Sequence, residues 1–320
     1  MPKIKKTRML LIGFGSIGKR HYRNLKFLGY NNISVYDPAD SQFKNEKIDR
    51  LKDLTPAALR RFEVAYICNP SHLHLSTAIK CARAGLHLFI EKPLSHNLKG
   101  VAALLKICGE KKLINLVACN IRFHPAVIYI KDYLEKNKLG GTYLIHLQTG
   151  LYLPFWRPRQ DYRKNYAAKK ASGGGIILDG GIHNFDLLFW LNNFSPVQEY
   201  KLIYNKVSNL KIETEDCFVA SFNFRNKIQA SILGDYLQKP YSWTIKIVGA
   251  KGNLAWDFKE NIVWLIDEKG KKMLKQFKNY DSNKMYLDEC RYFMRQVEKK
   301  QKTFNNIERA ARVLKYLVKR

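Results

Sequence analysis

The stretch MLLIGFGSIG at residues 9–18 decides the fold of the first part of the chain. Its apolar start predicts a buried strand, and the pattern Gly13-x-Gly15-x-x-Gly18 predicts a tight turn into a helix that ends near Gly29. Glycines at this spacing let the chain turn sharply, let the backbone approach a pyrophosphate, and let the helix pack on the strand. The helix N-terminus then faces the phosphates. The stretch therefore predicts a dinucleotide-binding turn.

A second strand and the residue after it specify the nucleotide further. Residues 33–36 are predicted to form this strand, and Asp37 follows it roughly 20 residues beyond the glycine turn. A carboxylate there accepts hydrogen bonds from ribose hydroxyls and repels a 2′-phosphate, so Asp37 favours NAD. The neighbouring basic residues Lys19 and Arg20 leave NADP open. The alternative interpretation of Asp37 is an ordinary turn residue before a proline.

Polar residues follow two further predicted strands. The strand at residues 63–68 runs into Asn69 and His74, and the strand at residues 87–90 is followed by Lys92. Strands that alternate with helices predict a doubly wound parallel sheet, whose ligands bind beyond the carboxyl ends of its strands. A lysine at such an end can favour loss of a proton from a substrate hydroxyl. The alternatives are an exposed loop lysine and a histidine at a helix start without a ligand.

Length and composition fit a chain of two domains in a reducing compartment. With 320 residues and 46% hydrophobic content, the chain can bury a substantial core. No apolar run reaches the roughly 18 residues that span a bilayer, so we expect neither a membrane anchor nor a signal peptide. The six cysteines have no metal-ligand spacing. We therefore expect no metal site and a cytoplasmic protein with reduced thiols.

The formal net charge of +29 raises the question of nucleic-acid binding. The basic residues are spread along the whole chain, and no nucleic-acid-binding module organises them. We expect a solvated lysine-rich surface with weak, salt-sensitive adhesion to polyanions, and no specific nucleic-acid partner. A polyanion-binding scaffold protein stays as a competing interpretation. It predicts retention on DNA that depends on salt and no affinity for a dinucleotide.

A carboxylate and an imidazole follow the glycine run that begins at Gly173. Asp179 and His183 are four residues apart, so in a helix they share one face, with Cβ atoms roughly 6 Å apart, and both can reach one substrate hydroxyl. Gly180 and Gly181 each cost about 1 kcal/mol in a helix, which predicts that something approaches this backbone closely. The alternative is a helix start that Asp179 caps, with His183 in the core.

Taken together, these motifs resemble the glucose-fructose oxidoreductase / inositol dehydrogenase / MocA (Gfo/Idh/MocA) family. The resemblance spans nearly the whole chain, and its motifs occur in family order. They are Gly13-x-Gly15-x-x-Gly18, Asn69-Pro70-x-x-x-His74, Glu91-Lys92-Pro93, Asn120-x-Arg122, and Gly173 to His183. It implies an N-terminal Rossmann domain followed by an α/β domain with a largely antiparallel open sheet. Family members commonly oligomerise through that sheet, which implies a homodimer or homotetramer.

The second half of the chain independently predicts the antiparallel sheet. Short alternating stretches such as residues 217–224 are separated by turn residues and indicate a meander. Helices predicted at about 125–136, 177–193, 284–299 and 306–318 would cover one face, which leaves the other for a partner subunit. The strand-helix alternation stops near Arg122. We therefore predict a dinucleotide-binding domain at residues 1–122 and a substrate-binding and oligomerisation domain at residues 123–320.

The resemblance also implies the roles of individual residues. Lys92 would polarise the reacting oxygen, Asp179 would orient the substrate or the imidazole, and His183 would exchange the hydroxyl proton. The implied cofactor contacts are Gly13, Phe14, Gly15, Ser16, Ile17, Gly18, Asp37, Asn69, Pro70, His74, Glu91, Lys92 and Asn120. The resemblance thus implies an NAD-dependent dehydrogenase or reductase that acts on CH-OH groups. The family has a bulkier apolar residue where this chain has Gly180, which implies a roomier pocket.

An aromatic and basic loop at residues 152–166 precedes the glycine run. Aromatic faces stack on sugar rings or bases, and arginines bind carboxylate or phosphate, so the loop indicates an anionic sugar or nucleotide-sugar. It also resembles a subset of the family associated with bacterial surface-polysaccharide synthesis. The expected substrate contacts are Arg122, Trp156, Arg157, Arg163, Tyr166, Asp179 and His183. The alternative is a solvated surface hairpin.

Two other functions compete with this interpretation. Some transcriptional regulators share the fold and bind a dinucleotide without catalysis, and they would lack the set Lys92, Asp179 and His183, which this chain has. A dehydrogenase of a neutral sugar or cyclitol is the second alternative. The sequence does not specify the substrate, the carbon that reacts or the direction of the reaction.

Overall fold

The computed structural model describes residues 6–43 and 47–318 and divides into two compact units. The first unit consists of the described residues up to Asn120 together with those from Asn283 onward. The second unit is Ile121–Ser282.

A six-stranded sheet forms the centre of the first unit. Its order is β3-β2-β1-β4-β5-β6, and every neighbouring pair is parallel. The strands are β1 (Met9–Ile12), β2 (Ile33–Tyr36), β3 (Asp49–Arg50), β4 (Val64–Ile67), β5 (His87–Glu91) and β6 (Asn115–Ala118). Every residue of β1 and β4 is buried, as expected for strands covered on both faces. The predicted doubly wound parallel sheet is confirmed, and its strand order reverses between β1 and β4.

Helices connect these strands. They are α1 (Ser16–Phe27), α2 (Pro56–Leu59), α3 (His74–Ala84) and α4 (Val101–Glu110). Helix α1 begins directly at the glycine turn, and α3 begins shortly after β4 ends. The chain therefore delivers both helix starts to the edge of the sheet where the strands end.

The second unit is built on an eight-stranded sheet in the order β14-β13-β12-β11-β7-β10-β9-β8. All neighbouring pairs are antiparallel except β7 and β10, which are parallel. Its strands are β7 (Thr142–Gly150), β8 (Val197–Asn205), β9 (Cys217–Phe224), β10 (Gln229–Asp235), β11 (Ser242–Gly249), β12 (Gly252–Asp257), β13 (Ile262–Asp267) and β14 (Gly270–Gln276). The predicted, largely antiparallel sheet is confirmed. The lysine-rich strand β14 was not predicted, because its residues are mostly exposed and lack an apolar alternation.

Three helices belong to the second unit: α5 (Pro125–Glu135), α6 (Leu153–Trp156) and α7 (Ile182–Leu191). The ring of Phe185 on α7 packs 5.9 Å from Phe218 and 5.7 Å from Phe222 of β9. The outer face of the sheet carries exposed apolar side chains, including the cross-strand neighbours Ile203 of β8 and Val219 of β9. One face is therefore covered by helix, and the other is exposed in the single chain.

The last two helices contradict one expectation. Helices α8 (Asn283–Lys299) and α9 (Ile307–Val318) were predicted to cover the antiparallel sheet, yet they lie in the first unit. Phe293 of α8 is fully buried in the same core cluster as Met9, and the N–H of Val117 donates to Asn305 at 2.9 Å. An amphipathic pattern shows that a helix buries one face but not which sheet it covers. Within the described part of the chain, no helix is long and apolar enough to cross a membrane.

Candidate functional site

The glycine turn after β1 leaves an open approach to the start of α1. A Cβ on Gly13, whose φ is +94°, would lie 2.5 Å from the nitrogen of Asn69, and a Cβ on Gly18 would lie 2.0 Å from the oxygen of Gly13. Around Gly15, by contrast, no described atom lies within 4 Å of such a Cβ. Among the described residues no side chain caps α1 and no acidic residue stands in its first turn. Open space before unsatisfied helix N–H groups fits a dinucleotide pyrophosphate.

Asp37 lies against this turn. Its carboxylate accepts the backbone N–H of Phe14 at 2.7 Å and that of Ala39 at 2.8 Å. A carboxylate has about four acceptor positions, so these two bonds fix its orientation and leave acceptor capacity for ribose hydroxyls. The residues of the turn thus fit the adenosine half of NAD.

His74 lies between the ends of two strands. Its Nε2 lies 2.7 Å from the carbonyl oxygen of Asn69 and its Nδ1 lies 2.7 Å from that of Pro93. Burial lowers the pKa of His74, although both carbonyls and the charge of Glu91 oppose this. We expected His74 to contact the cofactor. Because both ring nitrogens face protein carbonyls, the structure instead makes it part of the frame that joins the segments after β4 and β5.

Lys92 follows β5 and is held through its neighbour Glu91. One carboxylate oxygen of Glu91 lies 2.6 Å from Nε2 of His21, and the other accepts the backbone N–H of Lys92 at 3.1 Å. Burial alone would raise the pKa of Glu91, but the hydrogen bond and charge of His21, with Lys92 and His74, hold it below its usual range. Glu91 was expected to contact the cofactor. Because it is buried and bonded to His21, we assign it instead to positioning Lys92.

His21 was missed by the sequence interpretation. It lies in α1, three residues after Gly18, and is completely buried. Its Nδ1 lies 3.3 Å from Sγ of Cys290 on α8. The available signal was helical spacing, because Gly18 and His21 stand on the same face of α1, the face that packs on the sheet.

Arg122 also differs from expectation. Its Nε and Nη2 donate to the two carboxylate oxygens of Asp186 on α7, both at 2.6 Å, and its side chain is fully buried. The guanidinium lies 5.5 Å from the ring centres of both Trp190 and Phe194. A buried, bidentate pair of this kind commits the charge to Asp186. Arg122 therefore stabilises the second unit, and we no longer assign it to the substrate. Asn120, at the end of the first unit, is likewise buried.

Asp179 lies in a π-helical turn, Ile177–Gly181, that leads into α7. Glu215 caps this segment: it accepts the N–H of Ile177 at 3.2 Å, and Gly175, with φ of +102°, leaves the space its carboxylate occupies. Asp179 is therefore not the cap. It accepts hydrogen bonds from the hydroxyls of Tyr166 and, at 3.2 Å, Tyr236.

Tyr236 is a second residue that the sequence interpretation missed. It directly follows β10 and is completely buried. Burial and then the charge of Asp179 raise the pKa of Tyr236 well above its usual value, so its hydroxyl stays protonated and donates to Asp179. The two phenols hold the carboxylate in one orientation.

His183 is the second residue of α7 and is half-buried, like Asp179 and Gly180, whereas Leu178, Gly181 and Ile182 are buried. Its ring centre lies 5.9 Å from that of Trp243, whose indole N–H donates to Asn184 at 2.6 Å. His183 therefore lies at the margin of the core, with its Nδ1 buried and part of the residue accessible. Asp179, Gly180 and His183 form the accessible side of this helical segment.

The two glycines of the segment have different neighbours. A Cβ on Gly181 would lie 2.9 Å from the Phe218 ring, and one on Gly234 would lie 2.2 Å from it, so these glycines make room for Phe218. A Cβ on Gly180 would meet only the end of the Ile176 side chain, at 3.0 Å, as its nearest neighbour. The expectation that substrate or cofactor crowds both glycines is therefore wrong for Gly181, where a core aromatic ring is the close neighbour.

Residues of the aromatic and basic loop contact different parts of the second unit. Tyr166 reaches Asp179, as described, while the guanidinium and backbone N–H of Arg163 bond to Asp161 at 2.8 to 3.1 Å. Arg163 holds the pKa of Asp161 below its usual range. Trp156, at the end of α6, is half exposed and lies 5.9 Å from the Tyr241 ring, and Arg157 follows it half-buried.

Known proteins with similar sequences and folds agree with these features. The model of an oxidoreductase family with an NAD-binding Rossmann fold matches residues 7–119, and the Gfo/Idh/MocA C-terminal domain matches residues 127–255. The myo-inositol 2-dehydrogenase of Thermotoga maritima is 25% identical over 317 residues, which cover 91% of this chain and 88% of that protein. The levoglucosan dehydrogenase of Pseudarthrobacter phenanthrenivorans is 32% identical over 136 residues, 42% of this chain and 34% of that protein.

Solved structures show the same fold. A levoglucosan dehydrogenase in complex with NADH and levoglucosan superposes with a TM-score of 0.82 and 16% sequence identity, covering 97% of this chain and 95% of that one. At this identity the similarity concerns the fold alone.

Proposed function

The chain belongs to the Gfo/Idh/MocA family of NAD-binding oxidoreductases, and on that premise we propose that it catalyses hydride transfer between NAD and a hydroxyl- or carbonyl-bearing carbon of a sugar. The observation that carries this proposal is the accessible side of the segment before and into α7. There, Asp179 is oriented by two phenols and His183 is half-buried. When bound, the nicotinamide accepts or supplies the hydride. The named relatives act on myo-inositol and levoglucosan, which supports a polyhydroxylated substrate.

Each proposed catalytic residue has a task that its chemistry suits. His183 takes the proton of the reacting hydroxyl, or returns it in the reductive direction, because an imidazole titrates near ~6.5 in model peptides. Lys92 places an ammonium group at the substrate oxygen and favours its deprotonated form. Asp179 accepts a hydrogen bond from the substrate and fixes its orientation, with Tyr166 and Tyr236 holding the carboxylate.

The proposed cofactor contacts follow the chain's own open surface. The backbone N–H groups of Gly15, Ser16 and Ile17 at the start of α1 bind the pyrophosphate, and Asp37 binds the adenosine ribose. Asn69, Pro70 and Lys92 follow strands β4 and β5, and we assign them to the path towards the nicotinamide; Asn120 is buried and is left out of this set. Asp37 favours NAD over NADP because a 2′-phosphate would meet its negative charge.

For the substrate, we propose an anionic sugar or nucleotide-sugar of surface-polysaccharide synthesis. Support comes from the half-exposed Trp156, from Arg157 beside it, and from Tyr166 at Asp179. An aromatic face takes the apolar side of a ring, and a guanidinium pairs with a carboxylate or phosphate. Arg163 contributes less, because Asp161 already engages its guanidinium. A neutral sugar or cyclitol is the second candidate, which the relative named as a myo-inositol 2-dehydrogenase favours.

The decisive experiment is a screen of the purified protein with NAD or NADH and a panel of sugars, cyclitols, sugar acids and nucleotide-sugars, with nicotinamide absorbance as the readout. We expect turnover with at least one sugar. NAD binding without any turnover would favour the regulatory protein on the same fold. Faster turnover of myo-inositol than of every anionic sugar would leave the dehydrogenase but end the proposal of an anionic substrate.

We also propose that the protein works as a homodimer or homotetramer in the cytoplasm. The exposed apolar side chains on the outer face of the eight-stranded sheet, among them Ile203, Val219 and Met273, support the first part. The six cysteines form no disulfide among the described residues, and five of them are buried, which suits a reducing compartment. Light scattering of the wild type and of an Ile203→Lys variant tests the assembly; a monomeric wild type would contradict it.

A further inference from the structure

A small, open cavity of about 80 Å³ lies in the second unit beside the segments that follow β7 and β10. These two strands are the parallel pair of the sheet, so both segments leave it at the same edge. The side chains that define the cavity are Tyr152, Phe155, Trp156, Gln238, Lys239 and Tyr241. We call it the aromatic subsite.

Large aromatic side chains form the accessible wall of the aromatic subsite. Phe155 is 66% exposed and Trp156 is 50% exposed, although burial of such side chains is strongly favourable. The ring of Tyr241 lies 5.9 Å from Trp156 and packs edge-on against Phe258 at 5.7 Å. Grouped, exposed aromatic side chains mark a surface that binds the apolar face of a ring.

A cation stands at the same wall. The ammonium of Lys239 lies 3.8 Å from the centre of the Tyr152 ring and 5.6 Å from that of Phe155. These contacts hold Lys239 at the subsite while the residue stays exposed. The wall therefore offers both a stacking surface and a positive charge.

The floor of the aromatic subsite is fixed. The amide nitrogen of Gln238 donates to Asp235 at 2.6 Å, and the backbone N–H groups of Leu237 and Gln238 donate to the other oxygen of the same carboxylate at 2.9 and 3.0 Å. A Cβ on Gly150 would lie 2.2 Å from that amide nitrogen, so the Gln238 side chain lies directly on the β7 backbone. A floor held by these hydrogen bonds is preorganised for a ligand.

The aromatic subsite adjoins the proposed reaction centre through the same segment. Tyr236, whose hydroxyl donates to Asp179, stands two residues before Gln238. Ring contacts also connect the subsite to His183: Phe258, on which Tyr241 packs, lies 6.2 Å from Trp243, and the Trp243 ring lies 5.9 Å from that of His183. A molecule held at Asp179 can therefore extend into the subsite.

We propose that the aromatic subsite binds the second ring of a substrate whose first ring reacts at Asp179 and His183, together with an anionic group next to Lys239. This inference rests on the proposed function and narrows its substrate to a molecule with at least two rings. The shared chemistry is an apolar ring face close to a carboxylate or phosphate. A disaccharide of uronic acids and a nucleotide-sugar both have it, and the experiment separates them.

The test is calorimetric titration of the NADH-loaded protein with three probes: glucuronate, digalacturonate and UDP-glucuronate. Variants Trp156→Ala and Lys239→Met remove the stacking surface and the charge, and Phe27→Ala and Lys246→Met are controls at exposed positions outside the subsite. We expect each subsite variant to bind digalacturonate, UDP-glucuronate or both about tenfold more weakly, with its affinity for glucuronate unchanged. The control variants should bind all three probes like the wild type. Weakening confined to UDP-glucuronate identifies the base and phosphates as the ligand, and weakening confined to digalacturonate identifies a second sugar.

The proposal would be overturned if the wild type and both subsite variants bound digalacturonate and UDP-glucuronate with equal affinity. It would also be overturned if the wild type bound neither of these probes. Because NADH cannot accept a hydride from a hydroxyl-bearing carbon, binding is measured without turnover, and failure of the subsite is distinct from failure of the proposed function. If a one-ring sugar is turned over and the subsite variants bind every probe like the wild type, the dehydrogenase is supported and the subsite is rejected. Weakened binding in the subsite variants, without turnover of any probe, would support the subsite and contradict the dehydrogenase.

Discussion

The imidazole of His21 and the carboxylate of Glu91 lie 2.6 Å apart in the interior of the first unit, and this pair holds the backbone of Lys92. His21 comes from the helix after the glycine turn, whereas Glu91 ends strand β5. The pair therefore links the cofactor-binding turn to the residue that we propose acts on the substrate oxygen. A buried pair of this kind is costly to break, because one partner would be left as an uncompensated polar group.

Glu91→Gln should keep the fold but weaken the position of Lys92. The amide still accepts from His21, yet the charge is lost, so we expect unfolding free energy to fall by about 1–3 kcal/mol. The turnover number should fall about tenfold with NAD affinity nearly unchanged. Urea unfolding, steady-state kinetics and NAD titration measure the three quantities. Glu63→Gln, at an exposed pair with Arg8, is the control; equal turnover in both variants would show that Glu91 does not position Lys92.

His183→Ala should abolish most activity and leave cofactor binding intact. General acid-base groups contribute about 10²–10⁴-fold, so turnover should fall by that factor while NAD still binds the first unit. His146→Ala is the matched control, because His146 is exposed on β7 and bonds to Ser231 at 2.8 Å. Turnover of His183→Ala within a factor of two of the control would refute the assignment.

Asp37→Ser should shift the preference for the cofactor. Removing the carboxylate takes away the acceptor for the ribose hydroxyls and the charge that repels a 2′-phosphate, so NAD binding should weaken about tenfold relative to NADP binding. Fluorescence titration with both reduced cofactors gives the ratio. Asp53→Ser, at an exposed loop position, should leave the ratio unchanged. An unchanged ratio in Asp37→Ser would remove Asp37 from the ribose site.

Gly181→Ala and Gly180→Ala should differ although the residues are adjacent. An alanine at 181 would meet the Phe218 ring at 2.9 Å within the core, so we expect a loss of about 1–3 kcal/mol of unfolding free energy. At 180 the contact is the end of the Ile176 side chain, which can rotate away, and alanine gains helix propensity of up to about 1 kcal/mol. Chemical denaturation of both variants decides; equal destabilisation would contradict this account.

His124 should make the second unit sensitive to acid. Its Nδ1 accepts the N–H of Ala126 at the start of α5, which only the unprotonated nitrogen can do, and burial lowers the pKa of His124 from 6.5 to about 4. Because the folded pKa is the lower one, the unfolded chain binds the proton first. Stability is then complete above about pH 6.5 and is lost as the pH falls towards 4, by about 3 kcal/mol in total.

The variant His124→Asn keeps a capping side chain that does not titrate. We expect its unfolding free energy to fall less than that of the wild type between pH 7 and pH 4.5, measured by urea unfolding at each pH. Parallel loss in both proteins would assign the acid sensitivity to other groups.

The sequence by itself determined the features that depend on local spacing. The glycine turn at residues 13–18, the strands around it and Asp37 were predictable, because a turn, a helix start and a strand end each depend on a few consecutive residues. The alternating stretches of the second half likewise predicted an antiparallel sheet, since side-chain alternation is a property of the single strand. The positions of Asp179 and His183 on one helical segment belong here as well.

Only the tertiary structure decided which distant groups meet. Arg122 pairs with Asp186, Tyr236 reaches Asp179, and Phe218 lies against Gly181, each across more than thirty residues of chain. Helices α8 and α9 pack in the first unit for the same reason: their apolar faces fit either sheet by pattern, and only packing selects one. Hydrogen bonds and close packing depend on distances in space, which the spacing of residues along the chain does not encode.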